Sequence, residues 1–585
     1  MFAAIKDWIK PRCRTLAVVL LFIAGISLYI NSWGNRMFWD DDDSILNNKY
    51  VHDWHYLPKY FSENLIAGVE LRDNYWRPML LLTYSIEWHL WQGWPGGYHV
   101  INTFIHIGNA VLLYFALWRI FRDRRLAWPA ALVFLVHPLQ TEAVTYVAGL
   151  GDPLSVMFIL IGLLQFLKWR ESGRPALKSG RFWTAVAMYA LALMTKETAI
   201  VMPAYVFIAD LFRAREGRPQ PGVVQKARSA VLALLPFLAL AGIYLILRAT
   251  VLNFINTFNL YNEANDFTSH VSYRLFTFFR VLTIYAGLLF APFGLHMERT
   301  VEVAKSLWLP DVAAGGAIFL ALLAAGFGLV KKYPVVSFGI LWTLIGLAPT
   351  SNLAVPINGM IYEHWLYLPL VGVFLALIWL GLRLARRRAG RWLGAVLFTA
   401  FIIYLAALTI ARNPVWHDPI TFYNDVLRYN RGSYRVYNNL ANAYGDVKDH
   451  VQAEATYKQA IELDPGNGVA YFNLANTYRD TGRIDEAIEN YQKAISLSPE
   501  IHFYANNLAA LYLNTGRRQD AIAVLENYVK HADYKNNALV NLAMIAAQSG
   551  DYQAALGYLD QAAAADPADS RVGVLRARIQ QAMNQ

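Results

Sequence analysis

The sequence predicts an all-α protein in which a polytopic membrane domain, residues 1–411, precedes a soluble helical-repeat domain, residues 412–585. Apolar segments long enough to cross a bilayer recur up to about Ile410. Basic residues cluster between those segments, and the polar remainder of the chain repeats itself every 34 residues. With 56% hydrophobic and 16% charged residues, the 585-residue chain is too apolar for an ordinary soluble enzyme.

About eleven transmembrane helices are predicted in the membrane domain. Basic clusters between apolar segments mark cytoplasmic loops, so a cytoplasmic N-terminus and an odd number of crossings put the repeats outside. The predicted spans are 15–32, 98–118, 126–146, 153–168, 182–195, 198–212, 229–250, 311–330, 335–350, 366–384 and 393–411. The basic clusters are 6–14, 119–125, 168–181, 213–228, 331–332 and 383–391. The net charge of +10 therefore reflects topology and does not indicate nucleic acid.

Two further apolar segments carry charges that argue against a full crossing. The segment 77–91 contains Glu87 and His89, and the segment 273–292 contains two arginines. Both are predicted to be interfacial or re-entrant helices.

Three predicted outward loops carry the ionisable residues of interest. The first loop, about 33–97, contains "FWDDDDSILNN" with four consecutive aspartates, the second runs from His137 to Ser155, and the third from Ala348 to Pro369. Ionisable residues at a membrane boundary more often line a water-filled cavity than face lipid. Besides the aspartates, the loops contribute Arg77, His137, Glu142, Asp152, Glu363 and His364.

A short hairpin in "YALALMTKETAIVMPAYVFIADL" places two charges at membrane depth. The helix predicted from Phe182 to Thr195 would rise only about 21 Å, against a hydrocarbon core of about 30 Å. Lys196 and Glu197 are therefore predicted at a turn that opens to the outside from within the bilayer. The alternative is a snorkelling ion pair that joins two helices.

The C-terminal region carries four tetratricopeptide repeats and a partial one, "PITFYNDVLRYN", before them. Its repeating stretches are "YNNLANAY", "YFNLANTY", "YANNLAALY" and "LVNLAMIA". The leucines spaced 34 apart are Leu440, Leu474, Leu508 and Leu542, and the alanines are Ala453, Ala487, Ala521 and Ala555. Small alanines at this spacing are expected where paired helices approach closely.

A register of asparagines runs through the same repeats. Each lies on the first helix of its repeat, which lines the concave groove of such a solenoid. A side-chain amide both donates and accepts a hydrogen bond, so the register predicts binding of an extended peptide backbone. The alternative is that these asparagines bridge neighbouring helices. The four are Asn439, Asn473, Asn507 and Asn541.

The order of the motifs resembles a known family. The sequence contains, in order, "FWDDDDSILNN", "WRP", "NTFIHIGNAVLLY", "HPLQTEAVTYVAGLGDPLS", "LMTKE", "SNLAV", "YEHWLYLP" and then the repeats. In this it is similar to the transmembrane and tetratricopeptide-repeat containing O-mannosyltransferases and their bacterial-type relatives. That family belongs to the GT-C glycosyltransferase superfamily.

The resemblance implies a polyprenyl-phosphate sugar as donor and a reaction at the outer face of the membrane. It points to Asp40 and Asp41 as catalytic, and the continued run through Asp43 leaves the register open by one or two residues. It also points to Asp152, Lys196 and Glu197.

The chemistry of glycosyl transfer makes sense of these residue types. A carboxylate such as Asp40 or Asp41 can accept the proton of an acceptor hydroxyl. The leaving lipid phosphate needs a cation, which Lys196, Arg77 or Arg248 would provide. One or two aspartates of the run would face a reactive pocket, and the rest would be solvated or bind a divalent cation; if a metal is bound, Asp40 and Asp41 are the expected ligands. The alternative for the whole run is a solvated acidic loop without a catalytic role.

Two classes of function follow. The first is an integral-membrane glycosyltransferase that moves mannose or another hexose to Ser/Thr hydroxyls of extended protein acceptors held by the repeats. The second is a non-catalytic membrane scaffold whose repeats organise an extracytoplasmic complex. Charges at membrane depth favour the first, and polar residues gathered at one face rather than the midplane argue against a transporter. The predicted location is a bacterial inner membrane or, alternatively, the endoplasmic reticulum.

Overall fold

The computed structural model describes residues 2–214, 223–261, 264–385, 388–531, 535–566 and 569–584. Within these residues all regular elements are helices, and no β-strand is present. The chain divides into two compact units, Met1–Phe422 and Tyr423–Gln585. The predicted all-α fold class, with apolar helices followed by helical repeats, is confirmed. Parts of the predicted basic clusters at 6–14, 213–228 and 383–391 lie outside what the structure describes, either entirely or in their side chains.

Sixteen α-helices lie within the first unit, and a seventeenth runs across its end. They are α1 (Phe2–Tyr29), α2 (Lys49–His52), α3 (Pro78–Trp91), α4 (Pro95–Phe121), α5 (Arg124–Val136), α6 (Thr141–Thr145), α7 (Gly151–Ser172), α8 (Gly180–Leu193), α9 (Met202–Phe212), α10 (Val223–Ala249), α11 (Asp266–Ser269), α12 (Val271–Phe290), α13 (Pro310–Gly328), α14 (Pro334–Leu347), α15 (Leu370–Leu384), α16 (Arg388–Arg412) and α17 (Pro419–Tyr429).

Seven helical segments among the described residues are long and apolar enough to cross a membrane. Six coincide with predicted spans. They are Arg14–Ser32, Pro95–Phe121, Ala148–Ser172, Val231–Ala249, Pro310–Gly328 and Gly390–Trp416. The other five predicted spans contain shorter helices of 11 to 15 residues, α5, α8, α9, α14 and α15. Eleven crossings therefore remain a prediction, because the shorter helices could cross only where the bilayer is thin or the protein surface is indented.

The seventh such helix, α12, was predicted to be interfacial or re-entrant, yet its length and apolar composition suffice for a crossing. Nevertheless, both ends of α12 contact predicted outward loops. Near its start Arg274 donates to the carbonyl of Asn352 at 3.2 Å, and near its end the Leu289 carbonyl contacts His137 Nε2 at 3.1 Å. Because both termini meet the same side, the contacts favour the predicted interfacial or re-entrant helix over a crossing.

Contacts between helix ends sort into two sets that match the predicted sides. At predicted cytoplasmic ends, the guanidinium of Arg14 lies 4.3 Å from the Trp118 ring, and Arg122 pairs with Glu171 at 2.5 Å. At predicted outward ends, Asn31 donates to the carbonyl of Ile410 at 2.9 Å. The alternation deduced from the basic loops is thus consistent with which helix ends meet.

The second unit consists of helix pairs with small residues between them. Its pairs are α18 (Tyr434–Asp446) with α19 (His450–Leu463), α20 (Gly468–Asp480) with α21 (Ile484–Leu497), α22 (His502–Asn514) with α23 (Arg518–His531), and α24 (Asn536–Gln548) with α25 (Tyr552–Ala565), followed by α26 (Ser570–Met583). The four predicted alanines are fully buried, and the four leucines are at most 4% exposed. Four repeats form as predicted, and α26 is an additional helix that packs on the last pair.

The turns inside the repeats use the left-handed backbone region. Gly482, Gly516 and Gly550 have φ of 77°, 77° and 76° at a spacing of 34 residues. The first repeat has Lys448 at the equivalent position, with φ of 62°. A non-glycine residue in this region costs about 1–2 kcal/mol, because its Cβ approaches the following carbonyl oxygen.

Lys448→Gly is therefore expected to stabilise the repeats by about 1 kcal/mol. Thermal unfolding of the full chain, followed at the transition of the repeats, would measure the gain. The matched control is Gly482→Lys, which should lower the same transition. A Lys448→Gly variant less stable than the parent chain would show that Lys448 makes contacts worth more than its backbone strain.

Candidate active site

The aspartate run splits into residues with different surroundings. Asp41 is only 1% exposed. Its Oδ2 accepts the Phe38 backbone N–H at 3.0 Å, and its Oδ1 accepts the Ala148 N–H at 2.8 Å. Burial raises the pKa of Asp41 well above its usual value, against the opposing effect of those two N–H groups. Asp41 therefore ties the first outward loop to the second and is poorly placed to accept a substrate proton.

Asp40, in contrast, has an exposed side chain and a fixed backbone. Its N–H donates to the Tyr146 hydroxyl at 3.1 Å. The preceding Trp39 has φ of 64°, an uncommon conformation for a bulky residue that marks a constrained site. Asp42 and Asp43 begin the π-helix Asp42–Leu46, and burial raises the pKa of Asp43. Of the two residues predicted as catalytic, Asp40 is the exposed one, and its side chain hydrogen-bonds the Tyr146 hydroxyl.

An aromatic cluster that the sequence analysis missed holds Asp40 in place. Trp416, just past the last membrane helix, is 2% exposed and stacks on Tyr146 with ring centroids 5.2 Å apart. Phe422 lies 5.7 Å from Trp39 and 4.5 Å from Trp416. The segment that leads to the repeats is thus part of the wall behind the aspartate run.

Asn413 anchors the same segment. It is fully buried, and its Nδ2 donates to the Leu28 carbonyl at 2.8 Å and to Asn31 Oδ1 at 2.7 Å. Its Oδ1 accepts the Thr145 hydroxyl at 3.0 Å. The segment that follows the last membrane helix is therefore a fixed junction with the first helix and the second loop.

A chain of ionisable side chains joins the second loop, the third loop and the hairpin turn. Glu142 Oε1 lies 2.7 Å from His364 Nδ1, and Glu142 Oε2 accepts the His364 backbone N–H at 2.9 Å. His364 Nε2 lies 3.9 Å from Asp152 Oδ2, which accepts Lys196 Nζ at 2.7 Å. Lys196 is 8% exposed, so this ion pair is sheltered from solvent.

Lys196 and Glu197 do not pair with each other. Glu197 makes a two-pronged pair with Arg77, at 2.7 Å from Nη2 and 3.2 Å from Nε. The Met79 N–H donates to the Met194 carbonyl at 3.1 Å, which fixes the turn against the start of α3. The alternative predicted from the sequence was an ion pair that joins two helices. The turn instead makes two ion pairs, in which Lys196 binds Asp152 at the start of α7 and Glu197 binds Arg77 at the start of α3.

Glu363 borders the ionic chain from the third loop. Its Oε1 accepts the His296 N–H at 2.7 Å and lies 3.5 Å from Arg299 Nη2. Burial, with the repulsion of the Glu142 carboxylate, raises the pKa of Glu363 above its usual value, against the opposing effect of Arg299 and the His296 N–H.

Two predicted site residues have structural partners instead. His137 is fully buried, with Nε2 3.1 Å from the Leu289 carbonyl oxygen and Nδ1 accepting the Leu139 N–H at 3.3 Å. Arg248 donates to the carbonyls of Leu252 and Asn74. These bonds fix loop backbones and leave neither side chain directed at the ionic chain.

The ionic chain encloses little space. A cavity of about 40 Å³, lined by Asp152, His364 and Tyr367 among others, is large enough for a water molecule and too small for a sugar. Within the described residues no group of three or more His, Cys, Asp or Glu side chains is arranged to hold a metal ion. The divalent cation at Asp40 and Asp41 stays a prediction, and Asp41 has both oxygens bound to backbone N–H groups.

Two of the four register asparagines hydrogen-bond an asparagine of the preceding repeat. Asn473 donates to Asn438 Oδ1 at 3.1 Å, and Asn541 donates to Asn506 Oδ1 at 3.0 Å. Asn507 donates to the Phe503 carbonyl at 2.8 Å. Asn439, Asn473, Asn507 and Asn541 are all partly exposed. The helix-bridging alternative thus describes Asn473 and Asn541, and peptide binding by the register stays a prediction.

Comparisons with known proteins agree with the motifs and the repeats. Family models described as tetratricopeptide repeat match residues 432–500 and 506–570. Protein O-mannosyl-transferase TMTC3 of Mus musculus is 27% identical over 479 residues, which cover 77% of this chain and 51% of that relative. Protein O-mannosyl-transferase F38B6.6 of Caenorhabditis elegans is 25% identical over 472 residues, which cover 78% of this chain and 64% of that relative.

A third relative, protein O-mannosyl-transferase TMTC4 of Homo sapiens, is 24% identical over 509 residues, 77% of this chain and 66% of the relative. The chain spans about half to two thirds of the length of these relatives. The resemblance that the motifs indicated is confirmed: the chain is similar to the TMTC protein O-mannosyl-transferases over about three quarters of its length, and its C-terminal part contains tetratricopeptide repeats.

Proposed function

We propose that the protein is an integral-membrane glycosyltransferase that moves a hexose, mannose by the names of its relatives, from a polyprenyl-phosphate donor to Ser/Thr hydroxyls of protein acceptors on the extracytoplasmic side. The observation that supports this most is the environment of Asp40. Asp40 is an exposed residue whose side chain hydrogen-bonds Tyr146 of a fixed aromatic cluster, while Asp41 beside it is buried as an anchor. A pure scaffold has no need of this arrangement.

In the proposed mechanism Asp40 accepts the proton of the acceptor hydroxyl as the oxygen attacks the anomeric carbon of the donor. The bond from that carbon to the phosphate oxygen breaks, and the lipid phosphate leaves with the negative charge. Lys196 and Arg77 are the nearby cations proposed to stabilise it. Both cations already pair with carboxylates. They would therefore bind a phosphate that approaches from the membrane through their remaining N–H groups.

The test is reconstitution of the purified full chain with polyprenyl-phosphate mannose and an unfolded acceptor polypeptide. Mass spectrometry should find a hexose added to serine or threonine. Polyprenyl-phosphate glucose serves as a second donor, since the sugar rests on the names of relatives alone. If neither donor is consumed by folded protein, the extracytoplasmic scaffold becomes the better interpretation.

Tyr146→Phe tests the positioning of Asp40. The change keeps the ring that stacks on Trp416 and removes the oxygen that accepts the Asp40 N–H. The same hydroxyl also hydrogen-bonds the Asp40 side chain, so two bonds of about 1 kcal/mol each are lost, which predicts a fall in kcat of about five- to thirtyfold with KM unchanged. The control is Tyr60→Phe, whose hydroxyl bonds to the Tyr50 carbonyl away from Asp40. An equal effect of both changes would indicate a general loss of packing.

A further inference from the structure

A large groove lies on the membrane-facing side of the first unit, outside the candidate active site. It has a volume of about 710 Å³ and is lined by residues of α13, α14 and α15, with Leu329 and Tyr333 between the first two. A volume of this size lies in the range of sites for small organic ligands. α13 contributes Leu322 to the groove, and only 22% of the most apolar stretch of this helix is buried within the unit. The groove therefore faces the lipid.

The groove follows the helices along their length. Tyr333, Val336, Ile340 and Thr343, at a spacing of three to four residues, line it from one face of α14. Ten residues of helix rise about 15 Å, which equals half of a hydrocarbon core of about 30 Å. The groove is thus as long as one leaflet is deep. At its inner end α14 and α15 touch, since a Cβ on Gly372 would lie 2.1 Å from the Gly339 carbonyl oxygen.

One end of the groove is aromatic and cationic. The guanidinium of Arg383 lies 4.6 Å from the Trp379 ring, whose centroid is 5.6 Å from that of Tyr333. Lys332 Nζ lies 5.2 Å from the Tyr333 ring, and the neighbouring Lys331 is exposed. Among the described residues that line the groove, none is acidic. Aromatic rings with Lys and Arg at the end of an apolar channel are typical of the headgroup level of a membrane.

We propose that one phospholipid with an anionic headgroup occupies this groove, its acyl chain along α14 and α15 and its phosphate at Arg383 and Lys332. The apolar walls match the chain, the leaflet-deep length matches one lipid, and the basic end selects an anionic headgroup over a zwitterionic one. The headgroup position lies at the end of the unit that carries the predicted cytoplasmic basic loops, which is the end opposite the aspartate run. It is a site for a structural lipid and is independent of the proposed sugar transfer.

Native mass spectrometry of the full chain, released from nanodiscs of phosphatidylglycerol or of phosphatidylcholine with the same acyl chains, tests the proposal. The expected result is one retained phosphatidylglycerol and a lower occupancy by phosphatidylcholine. Arg383→Gln should reduce the preference for phosphatidylglycerol about fivefold, the effect of one basic side chain near a lipid surface. Unchanged preference in Arg383→Gln would show that the basic end does not bind the headgroup.

Filling the groove tests the acyl chain. Ala376→Trp on the groove-facing side of α15 should abolish retention, and Ala376→Leu, which is small enough to preserve the fold, should reduce it. Ala400→Trp on α16, exposed and outside the groove, is the matched control and should retain lipid as the parent chain does. Full retention by Ala376→Leu and Ala376→Trp, or loss in the control as well, would overturn the proposal.

Discussion

Asp40→Asn is expected to reduce sugar transfer by about 10²–10⁴ while leaving the fold intact, because the change removes the proton acceptor and keeps the shape. The stability of the loop rests on Asp41, whose oxygens accept two backbone N–H groups. The measurement is kcat with polyprenyl-phosphate mannose and a short acceptor peptide, with thermal unfolding of the same preparations alongside. KM for the donor should change little.

Two changes in the same run separate catalysis from anchoring. Asp42→Asn, at an exposed neighbour of equal charge, is the matched control and should retain most of the activity. Asp41→Asn should lower the unfolding temperature, since an amide nitrogen cannot accept a backbone N–H and a buried donor is left unsatisfied at a cost of about 1–3 kcal/mol. A folded and inactive Asp41→Asn beside an active Asp40→Asn would assign the base to Asp41 instead.

The choice between the aspartates lay beyond the sequence, for a physical reason. All four have the same side chain, and what distinguishes them is contact with residues more than 100 positions away, Tyr146 for Asp40 and Ala148 for Asp41. The helical segments and the repeats were predictable, because both come from local periodicity of apolar and small residues. For α12 the two arginines in the sequence pointed to the arrangement that its contacts favour, although its length alone would permit a crossing.

The junction at Asn413 and Trp416 had no signal in the sequence beyond an asparagine next to a proline. Its partners Leu28 and Asn31 are almost 400 residues away. The asparagine register did hold a usable signal. Asn438 and Asn506 precede the register by one position in alternate repeats, and each accepts from the asparagine 35 residues later. A search for pairs 35 apart, beside the repeat of 34, would have found these bridges.

Lys196→Met is expected to abolish transfer and also to destabilise the first unit by about 3–5 kcal/mol, because it leaves the buried Asp152 carboxylate without its cation. A single change therefore cannot tell a phosphate-binding lysine from a structural one. Removing both charges avoids the uncompensated carboxylate, since replacing a buried ion pair by apolar residues of similar size is often neutral for stability.

Lys196→Met combined with Asp152→Leu should therefore unfold near the temperature of the parent chain. If Lys196 stabilises the leaving phosphate, this double variant stays inactive although it is folded, and its loss appears in the chemical step with either a protein or a short-peptide acceptor. The matched control is Arg170→Met with Asp210→Asn, which removes an ion pair at the opposite end of the unit and should leave transfer close to normal. Recovered activity in the Lys196/Asp152 double variant would show that the pair only holds the hairpin turn against α7, and Arg77 would then be the cation left to meet the donor phosphate.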